Sequence, residues 1–146
     1  MARTPPGAAA RRLDRCDGTA SRLSESPAML WVVGCVLMVG GIGHIVTGLV
    51  VFREQLAAIF RDGFVDAILP HFDRRAAFWF ILFGAMVVMT GHVILHAVAR
   101  GDAQLLKVVG WYLLGISSIG TLAMTRSPSW GLIAIALTVL WAAYRM

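Results

Sequence analysis

The chain has 146 residues, 58% of them hydrophobic and only 14% charged. Soluble domains carry about 45–50% apolar residues, and here the excess is packed into long runs without charge, the pattern of membrane-spanning helices. The formal net charge of +5 flanks those runs and shows no basic-aromatic recognition pattern. It therefore points to membrane topology and lipid contact, and nucleic-acid binding is not expected.

Residues 1–27 form a basic tail in which Arg3, Arg11, Arg12, Arg15 and Arg22 outweigh Asp14, Asp17 and Glu25. Its apolar surface is too small to offset ordering, so the tail is expected to be disordered, apart from a short helical patch around Ala8–Arg15. It does not read as a secretory signal, because the apolar run that follows is too long and no small-x-small cleavage site comes after it. Cys16 lies in this tail and Cys35 in the first apolar run. They are not expected to pair, and Cys35 reads as a small hydrophobe.

Ala28 to Phe52 carries no charge and exceeds the roughly 20 residues a span requires. Residues 53–75 differ. Leu56, Ile59, Phe60, Phe64 and Ile68 recur at helical spacing with Glu54, Gln55, Arg61, Asp62 and Asp66 between them, which predicts an amphipathic helix on the membrane surface, broken at Gly63 and ended by Pro70. A second span is expected at 76–99, opening on Phe78, Trp79 and Phe80. A third is expected at 108–125, and a fourth, shorter one at 130–144 after a turn at 126–129. The predicted fold is all-α: a four-transmembrane-helix bundle over 28–146 with an interfacial helix between spans 1 and 2.

With the N-terminus inside, eight basic residues fall inside (Arg3, Arg11, Arg12, Arg15, Arg22, Arg100, Lys107, Arg145) and five outside (Arg53, Arg61, Arg74, Arg75, Arg126). That bias predicts a multi-pass protein of the bacterial inner membrane with both termini cytoplasmic. Each span carries a stripe of small or weakly polar residues suited to close helix packing: Gly40, His44 and Gly48 with Gly41 beside them; Gly84 and Gly91; Gly110, Ser117 and Thr121; Gly131, Ala134, Thr138 and Ala142. The alternative is that glycine is simply common in membrane helices.

Ionisable residues inside a membrane are functional candidates by default. His44 shares the glycine stripe, so it is expected to face the bundle interior, either as a structural hydrogen-bonder or as a ligand-binding or proton-handling group. His92 and His96 share one helical face, but no glutamate or third ligand accompanies them, so they are weak metal candidates. A haem between His44 and His92 is disfavoured by a depth offset of roughly 12 Å. Outside the spans, Asp62 or Asp66 with His71 could form a polar site at the bundle mouth, suited to acid-base isomerisation or cyclisation of a lipid-like substrate. The bland reading of the same residues is a solvated face. No phosphate loop, nucleophile elbow or dinucleotide fingerprint occurs, and no cofactor is expected.

Three blocks taken together resemble a bacterial family of small four-helix membrane proteins catalogued as a domain of unknown function. They are Gly43-His44-Ile45-Val46-Thr47-Gly48; Phe52-Arg53-Glu54 followed by Ile59 to Gly63; and Asp73 to Gly84, which includes Phe78 and Trp79. The resemblance covers roughly residues 28–144. It implies the four-helix architecture and marks His44, Asp73, Arg75, Phe78 and Trp79 as positions to test, with His44, Asp73, Arg75 and Trp79 as the ligand-binding candidates, but it implies no activity. Three functions remain open. One is a scaffold, accessory or small hydrophobic-ligand-binding protein. The second is an intramembrane enzyme using His44 or the Asp66/His71 group. The third is a small transporter acting as a homo-oligomer.

Overall fold

A computed structural model describes residues 7–69, 71–124 and 129–146, with side chains from residue 27 onward. The described residues form five helices: α1 (Gly7–Val51), α2 (Arg53–Arg61), α3 (Phe72–Arg100), α4 (Ala103–Ala123) and α5 (Ser129–Ala143). Three are long and apolar enough to cross a membrane: Pro27–Val51 of α1, α3 and α4. At 15 residues, α5 is about 22 Å long, short of the roughly 30 Å hydrocarbon core.

The helix borders differ from the sequence reading in ways the backbone explains. α1 begins at Gly7 and continues through Pro27, so the backbone from residue 7 is helical within the stretch expected to be disordered. At the other end it hardly pauses: Phe52 N–H donates to Gly48 O at 2.9 Å, and Phe52 O accepts from Leu56 N–H at 3.0 Å. α2 follows at once, but it is shorter than the amphipathic helix expected over 53–75. It stops in a Schellman closure, with Phe64 N–H on Ile59 O (3.0 Å) and Gly63 N–H on Phe60 O (3.4 Å). Gly63 supplies the left-handed residue (φ +93°) that this closure requires. Between the break and α3 none of the described residues is helical. Phe64 and Asp66 are also left-handed (φ 62° and 60°), which holds 62–69 irregular.

α3 starts at Phe72 rather than 76, so Asp73, Arg74 and Arg75 belong to its first turn and not to the connection. It ends in a second Schellman closure, with Asp102 N–H on Ala97 O (2.9 Å) and Gly101 N–H on Val98 O (3.1 Å) around Gly101 at φ +65°. Asp102 then caps α4, its Oδ1 accepting from Leu105 N–H at 2.9 Å. Gly101 and Asp102 thus make the whole connection, where a span beginning at 108 was expected. The turn at 126–128, with Arg126, lies outside the described residues.

The chain divides into two compact units. In the unit Val33–His96, α1 and α3 run antiparallel at very close range. A Cβ added at Gly41 would lie 2.8 Å from Gly84 O, and one added at Gly91 would lie 2.7 Å from Gly34 O. Gly48 meets Phe80 and Ile81 in the same register. Gly34, Gly41 and Gly48 are spaced by seven, as are Gly84 and Gly91, which is the period of a left-handed helix pair. Gly40 faces open space, so the packed row runs through Gly41 and not through Gly40 as the sequence suggested.

In the unit comprising residues 1–32 and 97–146, α4 packs against α5. The expected stripe on α4 is the buried one: Gly110, Ser117 and Thr121, with Leu106. Of the stripe expected on α5 only Ala142 is buried, while Gly131 and Ala134 are exposed. Gly131 has nothing near it, and with Ala142 α5 buries Ala136, Val139, Leu140 and Ala143. Leu140 fills the notch at Gly110, where an added Cβ would lie 2.8 Å from it.

Away from these seams the helices present apolar side chains outward, including Val39, Val50, Ile119 and Leu122, each two-thirds or more exposed. Apolar surface on that scale needs an apolar solvent.

Candidate functional site

His44 comes to the α1–α3 seam because it lies one turn from both Gly41 and Gly48, the residues that let the two helices touch. Its ring lies flat on Phe80, centroids 3.9 Å apart at 16°, and meets the edge of Phe83 at 5.5 Å and 65°. Phe52 extends this wall, 5.3 Å from Phe80. Gly84 supplies the space. A Cβ there would lie 3.2 Å from His44 Cδ2, 3.1 Å from Gly41 O and 2.7 Å from Ile45 Cγ1.

The imidazole Nε2 is buried and has no hydrogen-bond partner. The nearby hydroxyl does not serve it, because Thr47 Oγ1 donates back to Gly43 O at 2.8 Å. A buried polar nitrogen left unpaired costs about 1–3 kcal/mol, so this one is an exception that calls for a partner. Phe83 is 42% exposed, so the aromatic wall reaches the outer surface of the unit.

The other candidate residues lie elsewhere. Asp66 and His71 are both exposed, and neither side chain makes a hydrogen bond or ion pair. The acid that is engaged is Asp62, whose Oδ2 lies 2.7 Å from Arg74 Nη1. Arg74 Nη1 also donates to Ala67 O at 2.9 Å, which ties the irregular segment to the first turn of α3. Asp73 is exposed. Arg75 lies over the Phe72 ring at 5.7 Å, and exposed Trp79 meets Phe78 edge-on at 5.8 Å. None of these reaches His44. His92 and His96 are exposed on α3, with His92 two turns beyond Gly84, about 12 Å along the axis. Among the described residues, no group of three or more His, Cys, Asp or Glu is placed to hold a metal.

Sequence reasoning reached His44 but missed Phe80 and Phe83 as its partners, and it read Arg74 only as a charge flanking a span, not as a tie to Asp62 and Ala67. The spacing of Phe80, Phe83 and Gly84 places all three on one helix face, which was a readable signal. The Arg74 contacts depend on a non-helical segment and had no sequence signal.

Three long apolar helices with outward apolar faces and glycine-lined seams define the class: a helical protein built for a membrane. More particularly, the chain belongs to DUF6463, a family of unknown function whose model matches residues 29–146. No curated protein and no solved structure matches it.

Proposed function

We propose that this is a four-span membrane protein that binds a small lipophilic molecule at the α1–α3 seam, held by one hydrogen bond to His44. The observation that carries this reading is the buried, unpartnered Nε2 on an aromatic wall. A flat ring or unsaturated chain would stack in the place Phe83 now edges, while a hydroxyl or carbonyl paired with the imidazole. Selectivity would come from that single polar contact within an apolar surround.

The fourth crossing is supported by α5 running back along α4. Ser129 Oγ lies 3.6 Å from where a Cβ on Gly120 would stand, and Trp111 meets Tyr144 at the other end. A shallow or locally thinned bilayer accommodates the shortfall in length. Four crossings with the basic bias described above put both termini in the cytoplasm. The version of the enzymatic alternative that uses Asp66 with His71 lacks support, since both side chains are exposed and share no hydrogen bond.

The test compares wild type, His44→Ala and His44→Gln purified from membranes. Bound small molecules are read by mass spectrometry and stability by thermal unfolding. The reading expects an enriched lipophilic compound in wild type that is lost in His44→Ala while the fold persists. If wild type carries only bulk lipid, and Gln restores stability that Ala loses, His44 is a structural hydrogen-bonder and the binding reading fails.

A further inference from the structure

Positive charge is unevenly balanced along this chain. Around α2, Arg53, Arg61, Arg74 and Arg75 alternate with Glu54, Asp62, Asp66 and Asp73, and Arg74 is paired directly with Asp62. At the start of α4 and the end of α5 the balance is broken. Among the described residues, Arg100, Lys107 and Arg145 share this region with one acid, Asp102, whose carboxylate is committed to the N-cap of α4.

Among the described residues, Lys107 and Arg145 have no acidic partner. Each is held instead against an aromatic ring: Lys107 Nζ lies 4.8 Å from the Tyr144 centroid, and Arg145 Cζ lies 4.0 Å from the Trp141 centroid. Tyr144 is fixed in turn by a long 3.5 Å contact from Trp111 Nε1 to its hydroxyl. A ring contact uses one face of a cation and leaves its outward N–H donors free. Two cations are thus positioned without being neutralised, one on Tyr144 and the other on Trp141, one turn apart at the end of α5.

We propose that Lys107 and Arg145, with Trp111, Trp141 and Tyr144, form a binding site for the phosphate of an anionic phospholipid. Phosphate is the chemistry that takes several N–H donors at once. Exposed Trp and Tyr mark the level where headgroups meet the hydrocarbon. Below the cations, the exposed side chains Val108, Tyr112 and Leu137 continue as apolar surface, which suits acyl chains and would be wasted on a free anion. The site is independent of His44.

The experiment measures lipid preference directly. Purified protein in a neutral detergent is titrated with phosphatidylglycerol, with phosphatidylcholine, and with inorganic phosphate, and retention and thermal stabilisation are read for each. Wild type is expected to prefer phosphatidylglycerol, and each cation removed should cost roughly fivefold in that preference. Lys107→Gln and Arg145→Gln are made singly and together, so a folding failure of the double variant leaves two readable proteins. Lys107→Arg should keep the preference, as should an Arg53→Gln, Arg61→Gln control that removes as many cations elsewhere. Equal loss in that control, or no preference in wild type, overturns the proposal. Stabilisation by inorganic phosphate alone equal to that by phosphatidylglycerol assigns the site to the free anion and overturns the lipid.

Discussion

Two adjacent glycines should respond in opposite ways to the same substitution. Gly40→Ala places a methyl in open space, whereas Gly41→Ala places one 2.8 Å from both Gly84 O and Val88 N and 2.7 Å from Val88 Cγ2. Both changes gain about the same from helix propensity, up to about 1 kcal/mol, so the difference between them isolates the steric term. Two of the three clashing atoms at position 41 are backbone, which a rotamer change cannot relieve. Overpacking of this kind costs about 1–3 kcal/mol. Gly40→Ala is therefore expected to be neutral or stabilising, and Gly41→Ala to fall about 1–3 kcal/mol below it. Unfolding in mixed micelles with increasing denaturing detergent, followed by tryptophan fluorescence, gives both values on one scale. If the two variants unfold together, the α1–α3 seam does not run through Gly41, and the placement of His44 on it loses its basis.

Other substitutions test other parts of the structure. Thr121 Oγ1 is buried without a partner, so Thr121→Val should stabilise by about 1 kcal/mol in the same assay. A loss of stability there would mean the hydroxyl is bonded. Asp102→Ala removes the cap on α4 and should cost about 1 kcal/mol, with Asp102→Ser restoring most of it. Arg74→Gln breaks the contacts to Asp62 and Ala67 O together. Asp62 is half-exposed and the pair is screened accordingly, so the global cost should stay under about 1 kcal/mol. Amide exchange over 62–71 should nevertheless rise, and unchanged exchange would show that Arg74 does not hold that segment.

What the sequence made legible follows from what one dimension can encode. Charge-free runs and helical spacing are properties of consecutive residues, so the three long apolar helices and the break at Gly63 were readable. So was the buried face of α4, because Gly110, Ser117 and Thr121 are small and share one helix face. The helix borders were less readable. α3 and α4 begin earlier than their apolar runs because an acid stands at each start, Asp73 in the first turn of α3 and Asp102 as the cap of α4, and a hydropathy reading discards both.

Which small residues touch a neighbour was decided only in three dimensions. Gly40 and Gly41 are equivalent in composition, and a helix rotation of 100° separates the open one from the packed one. The sequence likewise offered His44 as an intramembrane imidazole without saying what surrounds it. The antiparallel register of α1 and α3 set it flat on Phe80 and left its Nε2 alone. Lys107 and Tyr144 lie far apart in the chain, and only the return of α5 along α4 brings the cation onto the ring. By itself, the sequence determined a helical membrane chain through its local hydropathy. Tertiary packing selected the contacts that give the chain candidate sites, because contacts between distant residues are set by register and rotation, which local hydropathy does not specify.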